Sequence, residues 1–355
     1  MPDHSTDAPY ADLDPATVLG ALQDAGFCCD GRLLQLNSYE NRVYQAPLDD
    51  GRVVVAKFYR PGRWSDAQIA EEHRFATELA EAELPVVPPL TLGIESPALT
   101  LSADARTLGH YHAAPGRVFR FSVSERWAGR APELERPDTL AWTGRLIARM
   151  HRVGTREVFA HRRTIDAQTF GHQPRRRLID LGFVDPEIDR GWINASAAAL
   201  EAVDRAFERQ GPPRHLRLHG DCHAGNVLWR DEGVGAGPHF VDLDDCCMGP
   251  AIQDLWMLLP GERGPVEAAL HHLLDGYRDF MDFDDRELLL IEPLRTLRMI
   301  HHSAWLAERW RDPAFPIAFP WFASPSYWNQ QAADLREQIE RMQDASAAAG
   351  PPLGD

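Results

Sequence analysis

The chain has 355 residues, 44% hydrophobic and 25% charged, which gives room for one large domain or two ordinary ones and excludes wholesale disorder. Its formal charge is −16 and neither half is basic, so it offers no face for a phosphodiester backbone and a general nucleic-acid binder is excluded. No apolar run approaches the ~18 residues of a membrane helix, and residues 1–14 are acidic and polar, unlike a signal peptide.

Residues 15–25 read as a short helix, N-capped by Asp14 and stopped by Gly26. Strand-like stretches at 33–36 and 43–46 flank the polar turn Asn37-Ser38-Tyr39-Glu40-Asn41. The β-branched run 52–59 predicts a strand. Over 65–83, Ile69, His73, Phe75, Ala76 and Leu79 fall at helical spacing on one buried stripe. With short strands expected between 90 and 121, this makes a β-rich lobe over 1–123. From 124 to 355 the pattern turns helical, with long helices at 139–151, 192–210, 265–280 and 286–310. One β patch interrupts them, at 215–219, 227–229 and 240–242. Gly233, Gly235 and Gly237 sit between two strands rather than before a helix, so they read as a hairpin turn and not as a phosphate loop. The Ala/Gly/Pro-rich tail after 346 is expected to fray.

The chemistry concentrates in His219-Gly220-Asp221-Cys222-His223-Ala224-Gly225-Asn226, followed by Phe240-Val241-Asp242-Leu243-Asp244. An aspartate, an asparagine five positions on, and a hairpin returning to a second aspartate form the layout of the catalytic and metal loops of kinase-like phosphotransferases. Phosphoryl transfer needs a base at the acceptor hydroxyl and hard oxygen donors for Mg²⁺. Asp221 suits the first task, and Asn226 with Asp242 the second. A hairpin whose polar ends merely satisfy each other is the plainer reading, and it leaves the rest of the pattern unexplained. Zinc is a poor reading of His219, Cys222, His223, Cys246 and Cys247, because the spacings are wrong. The two histidines are expected to brace the loop by bonding backbone carbonyls, and the thiols to pack. Adjacent cysteine pairs and an odd count make a poor disulfide framework, which points to a reducing cytoplasm.

Of 37 basic side chains, 36 are arginine, and Lys57 is the only lysine. It ends the run Val53-Val-Val-Ala-Lys57, much like the Val-Ala-Ile-Lys signature of kinases, where a compact ammonium bridges the α- and β-phosphates and pairs with a helix glutamate. A solvated edge-strand lysine is the plainer alternative. The partner is Glu71 or Glu72, with Glu72 preferred and the other expected to be solvated. The turn 37–41 stands where kinases keep a glycine-rich loop but has no glycine. Ser38, Tyr39 or their amides could reach phosphates from it, and an ordinary turn touching nothing is the alternative.

Leu218-His-Gly-Asp221-Cys-His-Ala-Gly-Asn226-Val-Leu-Trp229 and Phe240-Val-Asp242-Leu-Asp-Asp245 resemble the bacterial stress response kinase A family, a branch of the aminoglycoside phosphotransferase and choline kinase-like proteins. So do Gly249-Pro-Ala-Ile-Gln-Asp254-Leu-Trp-Met-Leu-Leu259, Asn37-Ser-Tyr-Glu-Asn-Arg-Val-Tyr44, Lys57-Phe-Tyr-Arg-Pro61 and Asp312-Pro-Ala-Phe-Pro316. The resemblance spans about residues 10 to 340 and implies an α+β, bilobal, protein-kinase-like fold. It also implies a cytoplasmic serine/threonine protein kinase using ATP and Mg²⁺. By position, Asp221 is the implied proton acceptor, Asn226 and Asp242 the implied Mg²⁺ ligands, and Ser38 an ATP contact. Cys246, Cys247 and Met248 depart from the expected polar residues, and 125–129 is an unusual linker. Asp254 is expected to hold the catalytic loop, and no segment is left for a long activation loop. The aromatic residues between 305 and 328 are equally readable as helical core or as an acceptor surface. The expected partners are protein substrates with serine or threonine acceptors, or alternatively a small-molecule acceptor such as a hydroxylated metabolite, an antibiotic or an amino alcohol. Neither nucleic acid nor membrane is expected, and the chain is expected to be a monomer. A nucleotide-binding scaffold without turnover would not need Lys57, Asp221, Asn226 and Asp242 together.

Overall fold

The computed structural model describes residues 9–211, 213–233, 235–259 and 266–348. The elements begin with α1 (Pro15–Asp24), β1 (Leu34–Leu36), β2 (Arg42–Pro47), β3 (Val53–Phe58) and α2 (Asp66–Glu81). Then follow β4 (Leu99–Leu101), β5 (Gly109–Ala114), β6 (Arg117–Glu125), α3 (Pro137–Gly154), α4 (Gln173–Asp180) and α5 (Arg190–Gln210). Next are β7 (Leu216–Leu218), β8 (Val227–Arg230), β9 (Gly237–Phe240), β10 (Cys247–Gly249) and α6 (Ile252–Trp256). The last are α7 (Val266–Arg278), α8 (Ile291–Arg309), α9 (Ala314–Ala318) and α10 (Pro325–Ala348). They divide into two compact units, the first holding the chain up to Glu133 with Phe159–Arg162 and His223–Cys246, the second the remainder.

In the first unit six antiparallel strands run in the order β1-β2-β3-β6-β5-β4. Alternation along β3 buries Val54, Ala56 and Phe58 and turns Lys57 to the other face. Phe58 is fully buried and stacks on Phe121 at 5.4 Å. Burying a side chain of that size stabilises the sheet by roughly 1.5–3 kcal/mol. Ser65 and Gln68 cap α2 reciprocally, and the helix ends in left-handed Glu83 (φ 57°), with Leu84 N bonded to Leu79 O and Glu83 N to Ala80 O. The helix expected to 83 therefore ends at Glu81, and no glycine marks that stop in the sequence. The hairpin β8–β9 also lies in this unit, its turn at Gly233 and Gly235 as read from the sequence. An expected lobe boundary after 123 cuts β6, which pairs with both β3 and β5. The unit continues through Trp127, stacked on His239 at 3.8 Å, and Arg130, bonded to the Trp229 backbone, and these contacts bring the hairpin into the first unit.

In the second unit α3 and α7 approach closely at Gly144 and Gly276, where a methyl would run into carbonyls of the facing helix. β7 pairs antiparallel with β10, a strand absent from the expectations. Most of the late aromatic residues pack inward. Phe315 and Phe322 are fully buried and Trp328 nearly so, in contact with Trp305, Trp310 and Tyr327, while Trp321 stays 44% exposed. Core is therefore the dominant role of that stretch. Helices α4, α9 and α10 are additions to the expected set. The tail beyond Ala348, residues 1–8 and residues 260–265 lie outside the described residues.

Candidate active site

In the first unit β3 delivers Lys57 and α2 delivers Glu72 to one point, with Lys57 Nζ 2.7 Å from Glu72 Oε1. The same ammonium lies 3.3 Å from Asp244 Oδ1 and 3.9 Å from Asp242 Oδ1. Burial opposes its charge, but Asp244 and Glu72 outweigh burial and lift Lys57 well above an ordinary lysine. The lysine stays charged. Glu71 does not extend into solvent as expected. It is 6% exposed, and its carboxylate accepts the backbone N–H groups of Ala160, His161 and Arg162 at 2.6, 3.0 and 2.9 Å. The reason is the segment Phe159–Arg162, which packs on α2 and has no helix or strand of its own to satisfy those donors.

Three residues not foreseen complete this cluster. Arg162 Nη2 bonds Glu72 Oε2 at 2.9 Å while its Nη1 bonds the Asp244 carbonyl at 2.6 Å. Arg63 reaches Asp244 Oδ2 at 2.5 Å and Asp245 Oδ1 at 2.6 Å. Asn41 donates to Asp244 Oδ2 at 3.3 Å, and its own oxygen accepts Arg60 N at 3.2 Å. Burial would raise the Asp244 pKa, but Lys57, Arg63 and Arg162 hold it well below the usual carboxylate range. Removing one member of such a buried set leaves an uncompensated charge, at a cost of roughly 3–5 kcal/mol. Asp244 is therefore a structural anion of the loop. The turn residue Ser38 is partly buried, and its hydroxyl accepts Asn41 N–H at 3.3 Å.

The hairpin places Asn226 beside Asp242, since Val227 pairs with Phe240 and Val241 N bonds the Asn226 carbonyl at 3.0 Å. Asp242 itself is left-handed (φ 60°, ψ 64°), a conformation sparsely used by non-glycine residues and characteristic of functional turns. Its side chain is 56% exposed, yet the surrounding protein and the carboxylates of Asp244 and Asp245 raise its pKa to about 6 against the pull of Lys57. An amide oxygen and a carboxylate are the hard donors Mg²⁺ accepts, and a divalent cation would relieve the crowding of like charge. Among the described residues no three His, Cys, Asp or Glu side chains form a metal cage. Asn226 and Asp242 fit Mg²⁺.

In the second unit β7 leads into the loop carrying Asp221, and the loop is held through its backbone. Buried Asp254, on α6, accepts His219 N and Gly220 N, both at 2.8 Å. Gln253 Nε2 donates to Gly220 O at 3.0 Å, and Gly220 takes φ 84°, open to glycine alone at little strain. Behind Asp254 stand His151 at 3.1 Å and Tyr277, whose hydroxyl lies 2.9 Å from the other imidazole nitrogen. Asp221 Oδ1 lies 2.6 Å from Arg298 Nη1 on α8, a partner nothing in the motif announced. His223 braces the loop, but its Nδ1 accepts the Gly225 N–H at 2.9 Å instead of bonding a carbonyl. Cys222, Cys246 and Cys247 are buried, and burial pushes the Cys246 thiol up to about 12, so these thiols pack. From Asp245 to α6 the chain contains only β10 and a turn, with no long loop.

The sequence matches the profile of the Phosphotransferase enzyme family over residues 32–291. Stress response kinase A of Escherichia coli is 40% identical over 344 residues, 97% of this chain and 96% of that protein. The serine/threonine protein kinase RdoA of Salmonella typhimurium is 38% identical with the same coverage of each. Among solved structures, an amicoumacin kinase in complex with AMP-PNP, Ca²⁺ and Ami superimposes with a TM-score of 0.65 at 18% identity, covering 93% of both chains. That last likeness is one of fold.

Proposed function

The chain belongs to the stress response kinase A group of the phosphotransferase enzyme family, and from that premise we propose that it is an ATP- and Mg²⁺-dependent serine/threonine protein kinase. One observation carries the reading at the level of the site. The chain's only lysine lies 2.7 Å from a helix glutamate and 3.9 Å from the hairpin aspartate, the trio that phosphoryl transfer asks for.

In this reading Lys57 bridges the α- and β-phosphates of ATP, held upright by Glu72, which Arg162 holds in turn. Asn226 and Asp242 hold Mg²⁺, which when bound neutralises polyphosphate charge. Asp221 accepts the proton of the acceptor hydroxyl as that oxygen bonds the γ-phosphorus. The bond from phosphorus to the β-bridging oxygen breaks, and ADP leaves with its electrons. Asp254 and Gln253 fix the loop so that the Asp221 backbone does not drift, a preorganising role. Five free cysteines suit a reducing cytoplasm, and among the described residues no helix is long and apolar enough to cross a membrane.

The test is purified protein with Mg²⁺ and labelled ATP, offered generic protein substrates and a panel of aminoglycosides and amino alcohols. Label on serine or threonine supports the reading. Label confined to a small molecule replaces the acceptor, and no label in any arm removes the activity.

A further inference from the structure

We infer that Arg298 is a positioning residue for Asp221 that also selects acceptors carrying a carboxylate close to the hydroxyl, so that the substrates are acidic peptides. The inference rests on the reading of Asp221 as the base.

The contact is short and one-sided. Arg298 Nη1 lies 2.6 Å from Asp221 Oδ1, and the same nitrogen is 3.9 Å from Met257 Sδ. A guanidinium offers five donors in a planar fork, and this pair uses one edge of it. The Arg298 side chain remains 42% exposed while Asp221 is 24% exposed, so the cation is the more open member of the pair. Its neighbours on the same face of α8 do not neutralise it. Arg295, one turn earlier, lies over the Trp256 ring at 5.6 Å and pairs with Glu292 at 3.6 Å. His302, one turn later, is stacked on Trp305, and burial together with Arg298 lowers its pKa, leaving it neutral at pH 7.

The electrostatic consequence follows at short range. A cationic acceptor approaching Asp221 meets the open guanidinium, and like charges at contact are costly. A peptide with Asp or Glu near its serine or threonine meets donors already oriented by Asp221, and a carboxylate on an arginine edge is a strong, directional pair. The net charge of −16 works against any acidic partner at long range, but screening removes most of that beyond about 8–10 Å. Selection is left to the local pair.

The experiment uses matched serine and threonine peptides differing only in flanking Glu, Gln or Lys, with the full chain and its Arg298→Gln, Arg298→Lys and Arg298→Glu variants, each checked by thermal unfolding. The parent is expected to favour the Glu set over the Lys set on the order of tenfold in kcat/KM. Arg298→Gln should lose that preference and also lower kcat on every peptide. Arg298→Lys should keep the preference at reduced kcat, and Arg298→Glu should reverse it. A structural role alone would lower all peptides equally and leave the ratio unmoved. If Arg298→Gln melts within the assay range, Arg298→Lys and the peptide series on the parent decide. A parent without charge preference, or a preference that survives Arg298→Gln, overturns the inference while leaving the kinase reading intact. A parent that phosphorylates none of the peptides overturns the kinase reading and the inference with it.

Discussion

The two units hold their functional groups by different means. Around Lys57 the first unit assembles a charge network, with buried Glu72 and Asp244 and the more exposed Asp242 set against Lys57, Arg63 and Arg162 at 2.5 to 3.9 Å. Around Asp221 the second unit uses one half-exposed guanidinium and otherwise grips the backbone, through two N–H groups on Asp254. A polyphosphate needs a fixed field, and a network in which each charge has several partners supplies it without reorganisation. In the proposed reading a base needs a fixed place, and backbone anchoring of its loop supplies that. Damage should therefore appear as altered nucleotide binding or positioning in the first unit, and as lost turnover with nucleotide binding intact in the second.

The largest expected effect tests that separation directly. Asp221→Asn should reduce turnover by ~10²–10⁴-fold, the usual contribution of a general base. Nucleotide affinity, read by calorimetry with a non-hydrolysable analogue, should stay within a few-fold of the parent because no member of the Lys57 network is touched. Parent-level transfer would remove Asp221 as base, and a parallel collapse of nucleotide affinity would break the division of labour.

Next in size is the anchor. Asp254→Ala leaves the N–H groups of His219 and Gly220 unmet and takes the carboxylate from His151. Each unmet buried donor costs roughly 1–3 kcal/mol. A clear fall in Tm together with lost turnover is expected. Full turnover in a destabilised variant would show that the loop keeps its place by other contacts.

The units should also respond oppositely to pH. In the first, burial, then Lys57 and Arg162, lower the His73 pKa from 6.5 to about 3. Its folded form stays neutral while the unfolded chain takes a proton, so stability is lost as pH falls below about 6.5. In the second, burial raises the Glu287 pKa from 4.5 to about 7. The folded form keeps a proton that the unfolded chain releases between those values, so this contribution is present at low pH and is lost as pH rises to 7. Glu287→Gln keeps an acceptor for Ile252 N, which Glu287 binds at 2.9 Å. Against the parent it should gain relative stability across that window by at most ~1.4 kcal/mol per pH unit. Denaturant titrations at pH 5, 6 and 7 check it, and parallel curves would discard the Glu287 contribution.

The same contrast explains what the sequence could disclose. The Lys57–Glu72 pair and the hairpin that sets Asn226 beside Asp242 are legible in the sequence because they depend on short spacings around a strand, a helix and a hairpin. Asp254 was legible because its helix follows at once. Arg63, Arg162 and Arg298 were not, since 36 arginines make any one of them unremarkable and their partners lie far along the chain, 77 residues in the case of Arg298. The burial of Glu71 is hidden from the sequence for a related reason. Helical periodicity assigns one of two adjacent residues to solvent, but Phe159–Arg162 returns from a distant part of the chain to cover both. Asn41 and Asp244 meet across 203 residues, and no pattern within the turn or the loop encodes that bond.

The smallest effect belongs to Ser38, and it separates two uses of the same turn. Its hydroxyl accepts the Asn41 N–H at 3.3 Å, at the long end for a hydrogen bond, so the contact stabilises the turn by no more than ~0.5–1 kcal/mol. Ser38→Ala should therefore shift Tm little, and Asn41 keeps its bonds to Asp244 and Arg60. If the turn serves only the fold, kinetics should be unchanged as well. If Ser38 contacts ATP, the KM for ATP should rise about fivefold, the equivalent of roughly 1 kcal/mol, while kcat stays at the parent value because uniform binding is lost and the transition state gains nothing from it. Lys57→Arg provides the contrast within the same unit. It keeps the charge but replaces a compact ammonium with a planar fork, and it should depress kcat rather than raise KM alone. A Ser38→Ala variant with parental KM would assign the turn to structure and leave nucleotide binding to Lys57, Asn226 and Asp242.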